Sequence, residues 1–340
     1  MLSAPSKLLI KNQNLLQQGK WLIANPEDAD IFNALEVEVD GFHQFYDIYQ
    51  HASQQQPEAS NRQKFSAVHR CDEQYDGIVC YMPKAKEHAK MLLANLASNL
   101  KTNGMLLLIG ENKSGIKSAP ALLGNFGQQV IKEDSARHCT MFKVIVDVTV
   151  PEFDLDQWQQ SYSLTINQTK LQICSLPGVF NHGKLDDGTA LLLAQCDNVP
   201  KGKLLDFACG AGIIGCYLGL KNPQAQITMS DISALALHCA EQSAVLNGIE
   251  AKVIASHGLV DITDKYNAIY TNPPFHTGVK TDYQVTESFI QQVKGHLLSK
   301  GSLTIVANAF LKYSTLLQQH LAEPKVLAGN SRFKVYRCQL

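Results

Sequence analysis

The chain repeats itself. Tyr75-Asp76-Gly77-Ile78-Val79 returns as Tyr266-Asn267-Ala268-Ile269-Tyr270, and Phe142-Lys143-Val144 returns as Phe333-Lys334-Val335, both at an offset of 191 residues. Between these anchors Asn103-Gly104-Met105-Leu106-Leu107-Leu108-Ile109 parallels Lys300-Gly301-Ser302-Leu303-Thr304-Ile305-Val306, shifted six positions further. Strand-length apolar segments, duplicated and separated by helical stretches, predict two copies of one α/β unit. Each copy is expected to be a parallel sheet closed by an antiparallel edge hairpin. A length of 340 residues suits two such units, divided as 1–155 and 156–340.

The second copy carries the chemistry. Its apolar run 266–271 ends at Asn272-Pro273-Pro274-Phe275. Two successive prolines stop a ladder, because neither donates an N–H, and they leave a stiff loop. An asparagine there presents one amide acceptor and one donor group at the lip where open α/β sheets bind ligands. The Asn272 oxygen and the Pro273 carbonyl suit the two N–H bonds of an exocyclic amine, and the Phe275 ring suits stacking on its heterocycle.

Upstream, Lys203-Leu204-Leu205-Asp206-Phe207-Ala208 reads as a buried strand running into Cys209-Gly210-Ala211-Gly212-Ile213-Ile214-Gly215. Glycines at such a strand-to-helix turn let a ligand lie against the backbone and meet the helix N-terminus. The next strand ends in Asp231, nineteen residues after Gly212, placed to accept both hydroxyls of a ribose. Gly210-x-Gly212-x-x-Gly215 also fits a dinucleotide fingerprint, so an NAD-dependent oxidoreductase is the rival reading. Asp206 argues against it, since a carboxylate before the glycines repels a pyrophosphate and suits the amino group of a methionine moiety. His257 follows the strand 251–255, where an adenine edge would lie. The loop 175–189 is rich in glycine and acid; it is expected to cap the next helix through Asp187 or Thr189 and to fold over a bound donor.

None of this survives in the first copy. At the same offset Tyr81 stands for Asn272, Met82 for Pro273 and Lys84 for Phe275. Its first strand, 21–24, runs into Asn25-Pro26-Glu27-Asp28-Ala29-Asp30, which has no glycine. The N-terminal half therefore reads as a degenerate copy kept for stability or for gripping a partner. Lys64, Arg70, Lys84, Lys86 and Lys90 are its candidate phosphate contacts.

Composition narrows the class. A content of 45% hydrophobic and 18% charged residues excludes a disordered chain. The longest apolar runs are strand-length and residues 1–7 lack a signal-peptide pattern, so a cytoplasmic protein without membrane segments is expected. Nine cysteines without a Cys-x-x-Cys pair predict reduced, buried thiols and no metal site. The formal net charge of −1 offers a polyanion no overall attraction, which leaves a local basic face such as Arg332 and Lys334 on the last strand.

Taken in order, Asp206-Phe207-Ala208-Cys209-Gly210-Ala211-Gly212, Asp231 and Asn272-Pro273-Pro274-Phe275 resemble the class I S-adenosylmethionine-dependent amino-methyltransferases. Pro177-Gly178-Val179-Phe180, Leu185-Asp186-x-Gly188, His276, Val306-Ala307-Asn308-Ala309-Phe310 and Arg332-Phe333-Lys334-Val335-Tyr336-Arg337 further resemble the bacterial ribosomal RNA small subunit methyltransferase C family. The resemblance implies two tandem Rossmann-like methyltransferase domains with a seven-stranded sheet each. It implies S-adenosyl-L-methionine held by Asp206, Ala208, Gly210, Gly212, Asp231, His257 and Asn272, with Asn272, Pro273 and Phe275 at the reacting amine. The implied reaction is methylation of N2 of guanine 1207 in 16S rRNA of the assembled 30S subunit, by a monomer. Two residues depart from the family's habit: Ala208 stands where glycine is usual and His257 where Asn or Asp is usual. Other acceptors share the Asn-Pro-Pro-aromatic loop, namely a 23S rRNA guanine, adenine N6 and a protein glutamine amide.

Overall fold

The computed structural model describes residues 1–273, 280–311 and 313–340, with backbone alone for 280–285. It forms two compact units, Met1–Trp158 and Gln159–Leu340. The first holds β1 (Trp21–Ala24), β2 (Asp40–His43), β3 (Gln63–Phe65), β4 (Tyr75–Tyr81), β5 (Leu100–Glu111), β6 (Ile131–Ala136) and β7 (Cys139–Ile145), in the sheet order β3-β2-β1-β4-β5-β7-β6. The second opens with a hairpin of β8 (Gln160–Ile166) and β9 (Thr169–Ser175). Its sheet contains β10 (Gly202–Phe207), β11 (Ala225–Asp231), β12 (Ala251–Ala255), β13 (Tyr266–Thr271), β14 (Leu297–Asn308), β15 (Lys325–Gly329) and β16 (Phe333–Gln339). They run β12-β11-β10-β13-β14-β16-β15, the same order strand for strand. In both sheets only the penultimate strand, β7 or β16, runs antiparallel to its neighbours. The two seven-stranded sheets expected of a duplicated unit are therefore present.

Apolar residues cover both faces of the first sheet, as a parallel sheet flanked by helices requires. Leu22, Ala24, Ile78, Cys80, Leu106 and Leu108 pack with Leu92, Leu93 and Leu96. On the other face Ile23, Val79, Leu107 and Ile109 pack with Leu8 and Leu9. Period-two alternation along each strand produces this division. Where β1 meets β4, Trp21 lies opposite Gly77, and a Cβ on that glycine would sit 2.3 Å from the indole. The second unit solves the same position with Leu204 opposite Ala268, so one large residue is matched by a small one in each copy.

The ladders correct part of the repeat as read from sequence. β4 and β13 correspond at 191 residues, and β5 and β14 share one burial pattern along all twelve positions. The closing strands, however, correspond differently. Glu111 pairs with Cys139, and its counterpart Asn308 pairs with Phe333, so Phe333 matches Cys139 rather than Phe142. A slip of three residues exchanges the two faces of a strand. Buried Cys139, Met141 and Val144 line up with buried Phe333, Val335 and Cys338 only in the observed register.

Two local features mark the second unit. The long helix ends at Gln292, a 3-10 turn covers Val293–His296, and β14 begins at Leu297, six residues before the apolar run at Leu303. Leu297 already pairs with Tyr266, and the ladder then bulges where Lys300 takes a φ of 62°. The polar stretch before the second sheet is the hairpin β8–β9, turned by Asn167 and Gln168 at φ of 45° and 63°. All nine cysteines are free thiols and eight are buried. No helix among the described residues is long and apolar enough to cross a membrane.

Candidate active site

Four parallel strands end at one edge of the second sheet. Phe207 pairs with Ser230 and with Thr271, and Asp231 pairs with Ala255. The residues that follow, Ala208, Asn272 and Ser256, therefore emerge at the same sheet edge as Asp231. Thr271 Oγ1 donates to the Phe207 carbonyl at 2.8 Å and ties the two central ends together.

The turn after β10 is left-handed at three positions, Ala208 (φ 56°), Gly210 (φ 54°) and Gly212 (φ 78°). An alanine there costs roughly 1 kcal/mol relative to glycine, offset in part because Ala208 packs on the cluster of Leu205 and Phe207. The glycines divide the work. A Cβ on Gly212 would lie 3.0 Å from Met229 Sδ, and one on Gly215 would lie 2.6 Å from Met229 Cε, so these two let the helix Ile213–Lys221 settle on β11. A Cβ on Gly210 would meet nothing within 4 Å. Gly210 thus floors an open cradle at the strand end.

Two carboxylates shape that cradle. Asp231 Oδ2 accepts from the Gly210 N–H and Oδ1 from the Ser233 N–H, both at 2.9 Å. Burial raises its pKa while these amides oppose the rise. Asp206 is 1% exposed and lies beneath the turn, its Oδ2 accepting from the Gly215 N–H at 2.8 Å. Its Oδ1 has no hydrogen-bond partner among the described residues. Burial pushes this carboxyl up to about 8, with the Gly215 amide opposing and the Asp231 charge adding to the shift. The cradle, the orphan acceptor and the carboxylate at its rim fit a cationic ligand carrying a ribose.

A stability test follows for Asp206. Its folded pKa lies above the unfolded value, so its contribution is present below about pH 4 and is lost as pH rises toward 8. Asp206→Asn removes this slope, worth on the order of 1 kcal/mol per pH unit. Urea unfolding at pH 5 and pH 8 should show the variant gaining on the wild type at the higher pH. A gap independent of pH would refute the assignment.

Asn272 stands at the end of β13, followed by the buried Pro273; Pro274, Phe275 and His276 lie outside the described residues. Asn272 Nδ2 donates to Asp186 Oδ2 at 2.8 Å and to Thr189 Oγ1 at 2.9 Å. Asp186, not Asp187 or Thr189, caps the helix Asp187–Leu193, its Oδ2 accepting from the Thr189 N–H at 2.9 Å. Sequence reading missed this residue as a functional one. The signal was present, since an Asp three residues before Thr189 is an ordinary cap spacing. Asp187 instead meets Arg332 Nη1 at 2.7 Å, an exposed pair. Arg332 precedes β16 and lies over the Phe333 ring, so it does not share a strand face with Lys334.

The remaining candidate, His257, follows β12 with its side chain exposed and its N–H directed to Asp261 Oδ2 at 3.4 Å. In the loop before Asp186, Leu176 and Val179 are buried while Phe180 is exposed.

The ladders also show what the first unit holds at the same places. Ile23 occupies the position of Asp206, His43 that of Asp231 and Tyr81 that of Asn272. Asn25 keeps the left-handed backbone of Ala208, with a φ of 51°. Its side chain enters a closed network: Asn25 Nδ2 donates to Gln44 Oε1 at 2.7 Å, and His88 Nε2 meets the same oxygen at 2.7 Å. His43 is buried against Gln63 at 2.7 Å, and Tyr81 Oη against Ser6 Oγ at 2.8 Å. Of the basic residues singled out there, Lys90 is paired with Glu87.

Comparison with known proteins agrees with this layout. The family "Methyltransferase small domain" matches residues 170–337, and "Methyltransferase small domain N-terminal" matches residues 6–162. A Ribosomal RNA small subunit methyltransferase C from Pseudoalteromonas atlantica is 52% identical over 342 residues, covering 100% of both chains. The chain belongs to the ribosomal RNA small subunit methyltransferase C family. A second member of that family, from Psychromonas ingrahamii, is 39% identical and covers 99% of this chain and 97% of its own. A solved T. thermophilus 16S rRNA N2 G1207 methyltransferase, in complex with AdoMet and guanosine, has the same fold, with a TM-score of 0.83. It is 20% identical, and the match covers 99% of this chain and 92% of that one. Membership of a methyltransferase family sets the oxidoreductase reading aside.

Proposed function

We propose that this chain transfers a methyl group from S-adenosyl-L-methionine to N2 of guanine 1207 in 16S rRNA, acting as a cytoplasmic monomer on the assembled 30S subunit. One observation carries the reading. Asn272 directs its amide nitrogen to Asp186 and Thr189, which leaves Oδ1 to meet a substrate amine.

When bound, the donor supplies an electrophilic methyl group: its carbon–sulfur bond breaks with the electron pair staying on sulfur as the bond to N2 forms. Guanine N2 is a weak nucleophile because its lone pair is delocalised into the ring. Asn272 Oδ1 and the Pro273 carbonyl, accepting its two hydrogens, aim that lone pair and favour a pyramidal nitrogen. A strong base is unnecessary, since the proton leaves after transfer. The base must be out of its stack to reach this edge, and Phe275 is the ring assigned to hold it there.

For the donor, Gly210 gives room at the strand end, Asp231 accepts the ribose hydroxyls, and Asp206 and Gly212 shape the turn. Ala208 lies in the same turn and His257 at the adenine side. The first unit is read as a copy without a donor site, kept for stability or RNA grip; Ile23, His43 and Tyr81 at the three key places support this.

Asp231→Ala should raise the dissociation constant for S-adenosylhomocysteine about tenfold or more, as expected for losing charge-assisted hydrogen bonds. Calorimetry showing an unchanged constant rejects Asp231 as the ribose ligand. The reading as a whole is tested by labelled-methyl transfer to 30S subunits, naked 16S and 23S rRNA, DNA and release factor, with mass mapping of the product. Label on N2 of guanine 1207 in 30S subunits is the expected result. Label on any other acceptor, with none on 30S subunits, overturns it.

A further inference from the structure

We infer that Asp186, with Thr189, is a positioning pair that decides which end of the Asn272 amide faces the substrate; this rests on the amine-transfer reading above. A primary amide is nearly symmetric in shape, and its two ends differ only in hydrogen bonding. Unanchored, it offers oxygen and NH2 to a ligand in turn. Guanine N2 carries two N–H groups, and only the oxygen complements them.

The structure anchors the amide at both hydrogens. Asp186 Oδ2 takes one at 2.8 Å and Thr189 Oγ1 takes the other at 2.9 Å. A flipped amide would set Oδ1 against the Asp186 carboxylate oxygen and lose that bond, whereas the Thr189 hydroxyl, which donates as well as accepts, bonds either end. The anchor is itself held, because Asp186 Oδ2 also accepts the Thr189 N–H at 2.9 Å and Oδ1 accepts Asn181 Nδ2 at 3.2 Å. Thr189 is buried, which limits competition from water. Donation of both amide hydrogens also strengthens Oδ1 as an acceptor, since hydrogen bonds in a chain polarise one another. One carboxylate oxygen thus caps a helix and orients an amide 86 residues away in sequence.

Three substitutions separate these two tasks. Serine caps a helix as well as aspartate does, but it is too short to reach Asn272 Nδ2. Asparagine at 186 keeps an oxygen where Oδ2 lies. Valine at 189 removes Oγ1 without changing the shape of the side chain. For Asp186→Ser the thermal midpoint should stay within about 2 °C of wild type. Its kcat on 30S subunits should fall about 10- to 100-fold, with the dissociation constant of S-adenosylhomocysteine changed less than about threefold. Asp186→Asn should recover kcat to within about fivefold of wild type, and Thr189→Val should lose about tenfold.

Selective nitrogen-15 asparagine spectra give a readout independent of turnover. The Asn272 side-chain protons should exchange slowly in the wild type and at least about tenfold faster in Asp186→Ser. A serine variant with wild-type kcat and unchanged amide exchange overturns the inference, as does a loss confined to S-adenosylhomocysteine affinity. If the wild type is inactive on every rRNA substrate, the functional reading fails, and the amide spectra alone decide the task of Asp186.

Discussion

Asn272→Ala should lower methyl transfer about 10²- to 10³-fold, the scale of removing one fixed dipole from a reacting centre. S-adenosylhomocysteine should still bind within about fivefold of wild type, because Gly210 and Asp231 remain in place. The separation of the two effects is the informative part. Alanine removes the acceptor for the amine and leaves Asp186 and Thr189 without the amide they hold. Asn272→Asp should fare little better although it keeps an oxygen at the right place. Its carboxylate would face that of Asp186, and two such groups at this distance do not both ionise readily. Single-turnover kinetics on 30S subunits, with calorimetry for the product, check both variants. Retained transfer by Asn272→Ala would remove the amide from the mechanism.

The second large effect belongs to the first unit and to acid. His43, His69 and His88 are buried, and burial pulls each down to about 4, with Lys64 and Lys20 adding to the shift at His69. Each is neutral in the fold and free to charge near pH 6.5 when unfolded. The unfolded chain therefore binds more protons between pH 6.5 and 4. Stability present above that window is lost as pH falls through it, by up to about 1.4 kcal/mol per pH unit for each histidine. His69 is the cleanest handle. Its ring lies between Phe42 and Tyr75, and neither ring nitrogen has a hydrogen-bond partner among the described residues. His69→Leu should stabilise the unit, by roughly 1–3 kcal/mol at neutral pH from the removed polar atoms and by more at pH 5. Hydrogen exchange across that pH range should show protection in residues 1–158 falling first in the wild type and later in the variant. A variant equally unstable at both pH values would refute this account of the acid sensitivity.

The two sheets were legible in the sequence because parallel strands buried on both faces must be apolar throughout. Segments such as 78–80 and 204–205 announce themselves without reference to a partner. The closing strands were not legible in the same way. Phe142-Lys143-Val144 and Phe333-Lys334-Val335 are alike in composition, but register depends on pairing with β5 and β14, which no local pattern records. At the site, the glycine turn and Asp231 could be read because each serves a need tied to a short motif. Asp186 could be read as a helix cap, three residues before Thr189, but not as the partner of Asn272, which folding brings to it from β13. His257 illustrates the opposite case: its place just after β12 was legible, but its side chain is exposed and only its backbone N–H is directed to a neighbour, Asp261.

The link between Asp186 and Asn272 spans 86 residues, and the strands β10 to β13 lie between the two ends in sequence. Synthesis proceeds from the N-terminus, so a nascent chain that has already formed its glycine turn still lacks an oriented amide. The amide is set only after β13 has joined β10 in the sheet, so the last strand of the central group is also the one that completes the polar cluster around Asp186.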